Sequence, residues 1–380
     1  MLKKSLTCAV AFAMLVAAAT ELLAAEDISE EVKGWVKRLN RHNRLPVRCE
    51  AAVMLGHIGD RSILSDMAEN FGTYPQEFAG RISEGLGRLG GPRALRVMLT
   101  LVRSRYHLQG WNGDALRRLG DAIGRIDHVD RKNYKLMQNR YVRGCEYSEG
   151  KPEPEMYYCM AWYGDEKAIA ALVNWMKTGK PSLQHYVADR LWEIGNKKAD
   201  EEMCMLVDYS EDKKLRQICA ISLGRRKATL AVESLLDALA AGLEPEAAQA
   251  LGMIGDKEAI PELKPLLKHK NDTVKLNAAF ALARLGDKSG LEIVKRELAS
   301  KNKLTAAKAA AALLAAGDEE GTARLKAAWK PLDAKERYWF IIDNLRGDAW
   351  SVPYLKHVAA NDKYPGTRRA AAEALKKAPK

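Results

Sequence analysis

Long apolar runs are scarce in this sequence of 380 residues. The main one lies at the start, where the basic segment MLKKS is followed by LTCAVAFAMLVAAA, about fourteen mostly apolar residues. A helix that spans a bilayer needs about 20 such residues, whereas a basic start and a short apolar stretch are typical of a secretory signal. We therefore predict that residues 1–25 are a cleaved signal peptide, the alternative being an uncleaved anchor helix. The mature chain, with no transmembrane segment, is expected to be periplasmic or secreted.

Sequence motifs of catalysis are also missing. The chain contains no HExxH, no GxSxG, no phosphate-binding GxxxxGK[ST] and no EF-hand loop. Ser148–Lys151 and Ser300–Lys303 match SxxK, but the partner motifs of that chemistry are absent, and we interpret both matches as chance. The sequence thus predicts no catalytic residue, no metal site and no cofactor, and it favours a binding protein over an enzyme.

Cysteine is sparse, with six residues of which five follow the predicted signal peptide. None forms a CxxC pair, and no CxxCH haem-attachment motif is present. An exported protein can form disulfides. Cys204 and Cys219 are placed level on two predicted antiparallel helices, and Cys145 and Cys159 bracket a predicted loop, so these are the two candidate bridges. Cys49 would remain as a small buried apolar side chain.

A repeated pattern is what the sequence has in abundance. Pro245–Asp287 contains twice an alanine-rich helical segment that ends in Leu and Gly-Asp, with Gly255 and Gly286 31 residues apart. Within Lys257–Asp287, apolar residues at helical spacing predict two helices, the second ended by a glycine cap. Such a unit cannot bury its apolar faces alone, so a period near 30 residues predicts stacked units in a solenoid.

The same period continues along the chain. Aligned on the apolar residue four positions before the Gly or its equivalent, anchor residues recur at steps of 28 to 37 residues. These anchors are Leu55, Leu86, Ile123, Met160, Leu191, Leu223, Leu251, Leu282, Leu313, Ile342 and Leu375. We therefore predict an all-α fold over residues 26–380, a right-handed α-solenoid of about eleven two-helix repeats. Its last helix, polar on one face, is expected to cap the array.

Three segments, LGHIGD, LGMIGD and LARLGD, resemble the HEAT repeat in the short bacterial variety of phycobilisome-lyase-like proteins. A basic residue that is frequent early in the second helix of that family recurs seven positions before the anchor, at Arg48, Arg216, Lys275, Lys335 and Arg368. The resemblance covers roughly residues 28–378. It implies a HEAT-like solenoid that serves as a binding scaffold more often than as an enzyme. The paired His-Glu iron ligands of HEAT-type hydroxylases are missing here.

Two successive steps of 37 residues interrupt the period. In the second, residues 139–158 carry Gly, Pro and mixed charge instead of a helical stripe, which predicts an insertion loop. Insertions in repeat arrays often carry function, and the alternative is a neutral expansion. The tyrosines in and around this segment either stack on a ligand or pack the loop down. A functional loop would cover the pocket of a lyase-like or cofactor-handling protein, which is our alternative hypothesis.

The charge balance favours a binding role. A formal net charge of +12 promotes contact with anionic surfaces, although a solvated Lys/Arg surface is the plain alternative. We predict an exported, non-catalytic scaffold that binds a protein or an acidic envelope polymer on the concave face formed by its second helices. Nucleic acid, the ligand of HEAT-like DNA glycosylases, is not expected because of the predicted export. The predicted contacts are Arg81, Arg88, Arg117, Arg118, Arg190, Arg225 and Arg226.

Overall fold

The computed structural model describes residues 29–42, 44–71, 76–103, 113–139 and 154–378. In these segments the chain forms helices that pair in sequence, and no strand occurs among them. The first helices of the pairs are 29–41 (α1), Leu64–Asn70 (α3), Gly91–Arg103 (α5), 134–139 (α7), Glu166–Thr178 (α9), Lys197–Tyr209 (α11), Val232–Ala240 (α13), Ile260–Leu263 (α15), Leu291–Glu297 (α17), Gly321–Trp329 (α19) and Val352–Asn361 (α21).

The second helices complete eleven units. They are Leu45–Ile58 (α2), Gln76–Leu89 (α4), Gly113–Asp127 (α6), Pro154–Trp162 (α8), Pro181–Ile194 (α10), Lys213–Arg226 (α12), Glu244–Ile254 (α14), Asp272–Arg284 (α16), Lys303–Ala315 (α18), Ala334–Phe340 (α20) and Pro365–Lys376 (α22). The all-α solenoid predicted from the repeat period is confirmed. The predicted insertion loop ends earlier than expected, because α8 already begins at Pro154. Residues 140–153 of that loop and the predicted signal peptide lie outside the described residues.

The anchor residues of the repeat form the core. Every anchor from Leu55 to Leu313 is at most 1% exposed. The last two anchors are partly exposed, and the residue before each, Ile341 or Ala374, is buried in its place. In the tenth unit α20 continues as a π-turn over Ile341–Leu345, and the wider turn shifts the side chains relative to the α-helical spacing.

Glycine directly after the anchor lets neighbouring second helices approach closely. A Cβ on Gly56 of α2 would lie 2.5 Å from the carbonyl oxygen of Gly85 in α4, and one on Gly252 of α14 would lie 2.8 Å from the Cβ of Ala281 in α16. These positions require glycine for space. At the same position α16 carries Ala283, and α16 and α18 are less closely packed than α14 and α16. A groove remains between α16 and α18.

The two ends of the array are in contact, because α22 packs against α2. The guanidinium of Arg369 donates hydrogen bonds to the carbonyl oxygens of Gly59 (3.3 Å) and Leu89 (3.2 Å). The hydroxyl of Tyr364 lies 2.9 Å from a carboxylate oxygen of Glu31 in α1 and donates to it. The sequence analysis expected the last helix to be a cap that faces solvent, but in the structure it is not. It closes the array onto the first unit.

None of the helices in the described segments is both long enough and apolar enough to cross a bilayer.

Replacing the anchor Leu282 by Ala is expected to lower the free energy of unfolding by roughly 2–5 kcal/mol, because the side chain is fully buried between units and its loss leaves a cavity. Urea denaturation followed by circular dichroism measures this change. The matched control is Leu230→Ala, whose side chain is 41% exposed and which we expect to cost much less. An equal effect of the two substitutions would show that the repeat register is wrong.

Replacing Gly56 by Ala is expected to destabilise the protein by about 1–3 kcal/mol, since the new methyl group would overlap the backbone of Gly85. Gly34→Ala is the control, because a Cβ there meets nothing within 4 Å and α1 gains about 1 kcal/mol of helix propensity. Thermal denaturation of the two variants should therefore move in opposite directions. A tolerated Gly56→Ala would contradict the close approach of α2 and α4.

Candidate functional site

The second helices turn a regular polar stripe toward the inside of the closed array, which we call the inner face. In α4 the stripe consists of Arg81, Glu84 and Arg88, spaced by three and then four residues so that all three lie on one side of the helix. The corresponding residues are Arg118, Asp121 and Arg125 in α6, and Tyr186, Asp189 and Glu193 in α10. Oppositely charged groups from separate units therefore meet inside the array.

Glu84 is the carboxylate on which three units converge. It accepts a hydrogen bond from Arg118 at 2.8 Å and one from Arg81 at 3.1 Å, and Arg190 of α10 lies 3.5 Å away. Burial alone would raise the pKa of the Glu84 carboxyl, but the four arginines around it, including Arg88, hold that pKa far below its usual range. The carboxylate is therefore charged at neutral pH, and it is matched by fixed cations.

Glu193 of α10 forms a second centre of the network. Arg125 donates to one of its carboxylate oxygens and Arg88 lies 3.9 Å from the other. Burial opposes ionisation of Glu193, yet these two cations lower its pKa. Arg125 also pairs with Asp121 at 3.4 Å, and Asp121 accepts a hydrogen bond from the Trp162 indole at 3.0 Å. Ion pairs thereby join three units, and the Trp162 hydrogen bond adds a fourth.

The inner face is occupied by the tenth unit and the turn that follows it. We call residues 338–348 the inner segment. Its Asp343 pairs with Arg225 of α12 at 2.7 Å, and its Asp348 pairs with Arg284 of α16 at 2.7 Å. At the other end of the segment, Tyr338 accepts a hydrogen bond from an arginine of α4 and packs on its guanidinium. The concave surface is filled by the chain itself over these units.

Lys227, which contacts the inner segment, has an unusual backbone conformation. It stands where other units have the glycine cap and adopts a left-handed conformation with φ 56°. A side chain in that region costs of order 1 kcal/mol or more. The ammonium of Lys227 binds Asp348 of the inner segment at 2.6 Å, an interaction that glycine would not provide.

The seven arginines predicted as partner contacts divide into two groups. Four are held in ion pairs within the array, with side chains at most 15% exposed: Arg88, Arg118, Arg190 and Arg225. Their charge is used to neutralise buried carboxylates. Arg117 is half-buried, with its guanidinium 5.4 Å from the Tyr186 ring. Arg81 and Arg226 retain side-chain exposures of 35% and 38%, so their role toward a partner stays a prediction.

A pocket of about 350 Å³ opens between α2, α4 and α20. Arg81, Lys335 and Trp339 are among its lining residues, and His57 lies in its wall. Burial, with repulsion from Arg88, holds the pKa of His57 well below its usual value, so the imidazole is neutral. Its Nδ1 has no hydrogen-bond partner among the described residues.

Cations crowd where α10, α12 and α22 end, and we call Arg226, Arg346 and Lys377 the cationic rim. Burial and the nearby guanidinium groups of Arg346 and Arg226 lower the pKa of Lys377. Asp200 lies 3.6 Å from the Nε of Arg226, but burial raises the pKa of this carboxyl to about 6. Arg346 donates to the carbonyl oxygen of Arg225 at 2.9 Å and forms no carboxylate ion pair within the described residues. The rim therefore carries an excess of positive charge.

The sequence analysis found the arginines of the inner face but missed their acidic partners and the rim. The signal was present in the Arg-Glu-Arg and Arg-Asp-Arg stripes, because residues three and seven positions apart share one side of a helix. Arg346 and Lys377 carried no such signal. They come together with Arg226 only because the array closes.

The predicted bridge between Cys204 and Cys219 is not formed, and both are separate buried thiols. Cys204 instead forms a hydrogen bond with Ser234 of the next unit, and burial raises the pKa of its thiol to about 11. Cys145 lies outside the described residues, so its bridge to Cys159 stays a prediction.

The aromatic residues at the end of the predicted loop serve as packing. Tyr157 and Tyr158 are buried in α8. Their rings lie 4.3 Å from Trp175 and 5.7 Å from Tyr186, respectively. Among the described residues, no group of three or more His, Cys, Asp or Glu side chains is placed to hold a metal ion.

Comparison with known proteins agrees with this architecture. Two overlapping stretches, residues 204–275 and 243–315, match the family described as HEAT repeats. The similarity to HEAT repeats thus covers residues 204–315 of the chain. No curated protein matches its sequence. Human deoxyhypusine hydroxylase in complex with glycerol is among the similar solved structures, with 15% identity over 78% of this chain and 99% of that chain. The TM-score of 0.35 is too low for this similarity to support an inference about function.

Replacing Glu84 by Gln is expected to lower the free energy of unfolding by roughly 3 kcal/mol at neutral pH, because it leaves buried arginines without their counter-charge. Since the folded pKa lies below the unfolded value of about 4.3, this contribution is complete above that value and is lost as the pH falls below it. The wild-type protein should therefore lose more stability on acidification than the variant does. Urea denaturation at a series of pH values tests this.

The control for this substitution is Glu69→Gln, which changes an exposed carboxylate outside the network. Equal stability of the two variants, or parallel pH profiles of wild type and Glu84→Gln, would contradict the central role of Glu84.

Proposed function

We propose that this HEAT-repeat protein is an exported, non-catalytic scaffold that binds an acidic macromolecule, a protein or an anionic envelope polymer, across its cationic rim. The observation that carries the proposal is the crowding of Arg226, Arg346 and Lys377, because among the described residues a carboxylate forms an ion pair only with Arg226, through Asp200. Like charges held together repel one another, and an anionic partner relieves that repulsion.

The position of the rim distinguishes it from the rest of the inner face. The inner segment and the Glu84 network use the cations deeper inside, so a partner cannot reach them without breaking ion pairs. At the rim, Arg226 and Lys377 remain accessible to solvent. The helix ends there also favour cations, since the carbonyl end of a helix carries partial negative charge. The rim thus has more positive charge than the neighbouring carboxylates neutralise.

Export rests on the sequence of residues 1–25, and it selects acidic proteins or polymers of the envelope over nucleic acid as partners. The phycobilisome-lyase-like subtype stays a prediction, as does the alternative of a cofactor-handling pocket near residues 139–158. Residues 140–153 of that region lie outside the described residues.

Reversing the rim charges with Arg226→Glu and Lys377→Glu is expected to abolish retention of the partner at low salt. The measurement is a crosslinking pull-down from an envelope extract, read by mass spectrometry. Arg225 is left unchanged because its pair with Asp343 holds the inner segment. The expected result is one acidic macromolecule retained by wild type and lost from the variant, with retention falling as salt rises.

The matched control reverses Lys213 and Lys214, two exposed lysines at the opposite end of α12, and alters the net charge by the same amount. Loss of the partner from both variants would mean that total charge, not the rim, drives binding. Retention by the rim variant would refute the proposal.

A further inference from the structure

The groove between α16 and α18 is the largest described opening that the proposed function leaves unused. It has a volume of about 640 Å³, within the range of small-molecule sites. Its walls combine apolar side chains, chiefly Leu276, Phe280 and Ile293, with the hydroxyl groups of Thr273 and Thr305. The helices that border it, α16 and α18, are less closely packed than α14 and α16.

Lys308 marks the deep end of this groove. It lines both the groove and a small adjoining cavity on the inner side, together with Asn277 and Phe280. Burial, with repulsion from Arg284, lowers the pKa of its ammonium, while Asp343 acts in the opposite direction. Lys308 forms no ion pair with any described residue, so this largely buried cation has no counter-charge of its own.

Lys308 lacks a counter-charge because α18 does not repeat the polar stripe that α4 has on the inner face. Lys308 holds the position in α18 that Arg81 holds in α4, five residues before the anchor. In α4 the next stripe position is Glu84, which pairs with that arginine. In α18 the next position is Ala311, and it offers no carboxylate. The charge pattern of α4 is thus left incomplete in α18.

The remaining charges of the groove indicate which anion would fit. Lys275 already pairs with Asp272 at 2.5 Å, and Arg296 is offset by the neighbouring Glu297 in the same lining. The excess is a single positive charge, that of Lys308. A doubly charged phosphate would be repelled by the two carboxylates that line the groove, and its charge would exceed the single positive charge available. A ligand with one carboxylate group would leave the groove neutral.

We propose that the groove between α16 and α18 binds a monoanionic carboxylate that carries an apolar group, with the carboxylate at Lys308 and the apolar group against Phe280 and Ile293. Hydroxyl groups such as that of Thr305 supply further hydrogen bonds. Two sources share this chemistry, the free carboxyl terminus of a peptide ending in an apolar residue and a free small carboxylic acid. The site is separate from the cationic rim.

Calorimetric titration of the full chain with N-acetyl-leucine and with its uncharged analogue N-acetyl-leucinamide tests the proposal. The acid is expected to bind at least tenfold more tightly than the amide. The tetrapeptide N-acetyl-Ala-Ala-Ala-Leu with a free carboxyl terminus separates the two sources. Tighter binding of the peptide than of N-acetyl-leucine points to a chain terminus, and equal binding points to a free acid.

Lys308→Gln is expected to reduce binding of the acid at least tenfold and to leave binding of the amide unchanged. The matched control is Lys301→Gln, an exposed lysine just before α18 that should bind as wild type does. The acid–amide comparison on the unchanged protein keeps the test decisive if the Lys308 variant does not fold. Equal affinity for acid and amide, full binding by Lys308→Gln, or no binding of either probe at millimolar concentration would overturn the proposal.

Discussion

The carboxylate of Glu84 must be neutralised where water is excluded, and this requirement determines how the units are arranged. A buried charge without partners is costly, and no single helix can surround a carboxylate with enough cations. Arg118 and Arg190 therefore come from two other units, which brings α6 and α10 toward α4 inside the array. In a simple solenoid each unit contacts only its neighbours. Here charge ties together units that are distant in the chain, with the result that the array folds around its own interior.

The two proposed sites lie where positive side chains outnumber the carboxylates beside them. At the cationic rim, closure brings Arg346 and Lys377 beside Arg226, and Asp200 pairs with Arg226 alone among the described residues. At the groove, an alanine at position 311 replaces the acid that α4 provides, and Lys308 is left alone. The fold uses its charges where they are paired, so unpaired cations in accessible places are the natural candidates for binding. By this criterion Arg226 is a candidate for binding a partner, whereas the adjacent Arg225, which is paired within the array, is not.

Local sequence rules predicted most of the architecture, because each repeat is specified by its own residues. The period predicted the number of units, and Gly286 ends the second helix of its unit with φ 83°, as the predicted glycine cap requires. Closure and the inner segment could not be predicted in this way. They depend on the accumulated rotation between units and on contacts such as that of Arg284 with Asp348, whose spacing follows no repeat.

The contact between Glu31 and Tyr364 has a consequence for how such a chain can change during evolution. Open solenoids lengthen or shorten by whole repeats, since an added unit meets the same neighbours as any other. In this closed array an eighth or ninth unit cannot be duplicated or deleted without separating α22 from α2 and moving the inner segment away from its arginines. Closure thereby ties the fold to its present number of repeats. The adjacent ends make circular permutation the rearrangement that the architecture tolerates best.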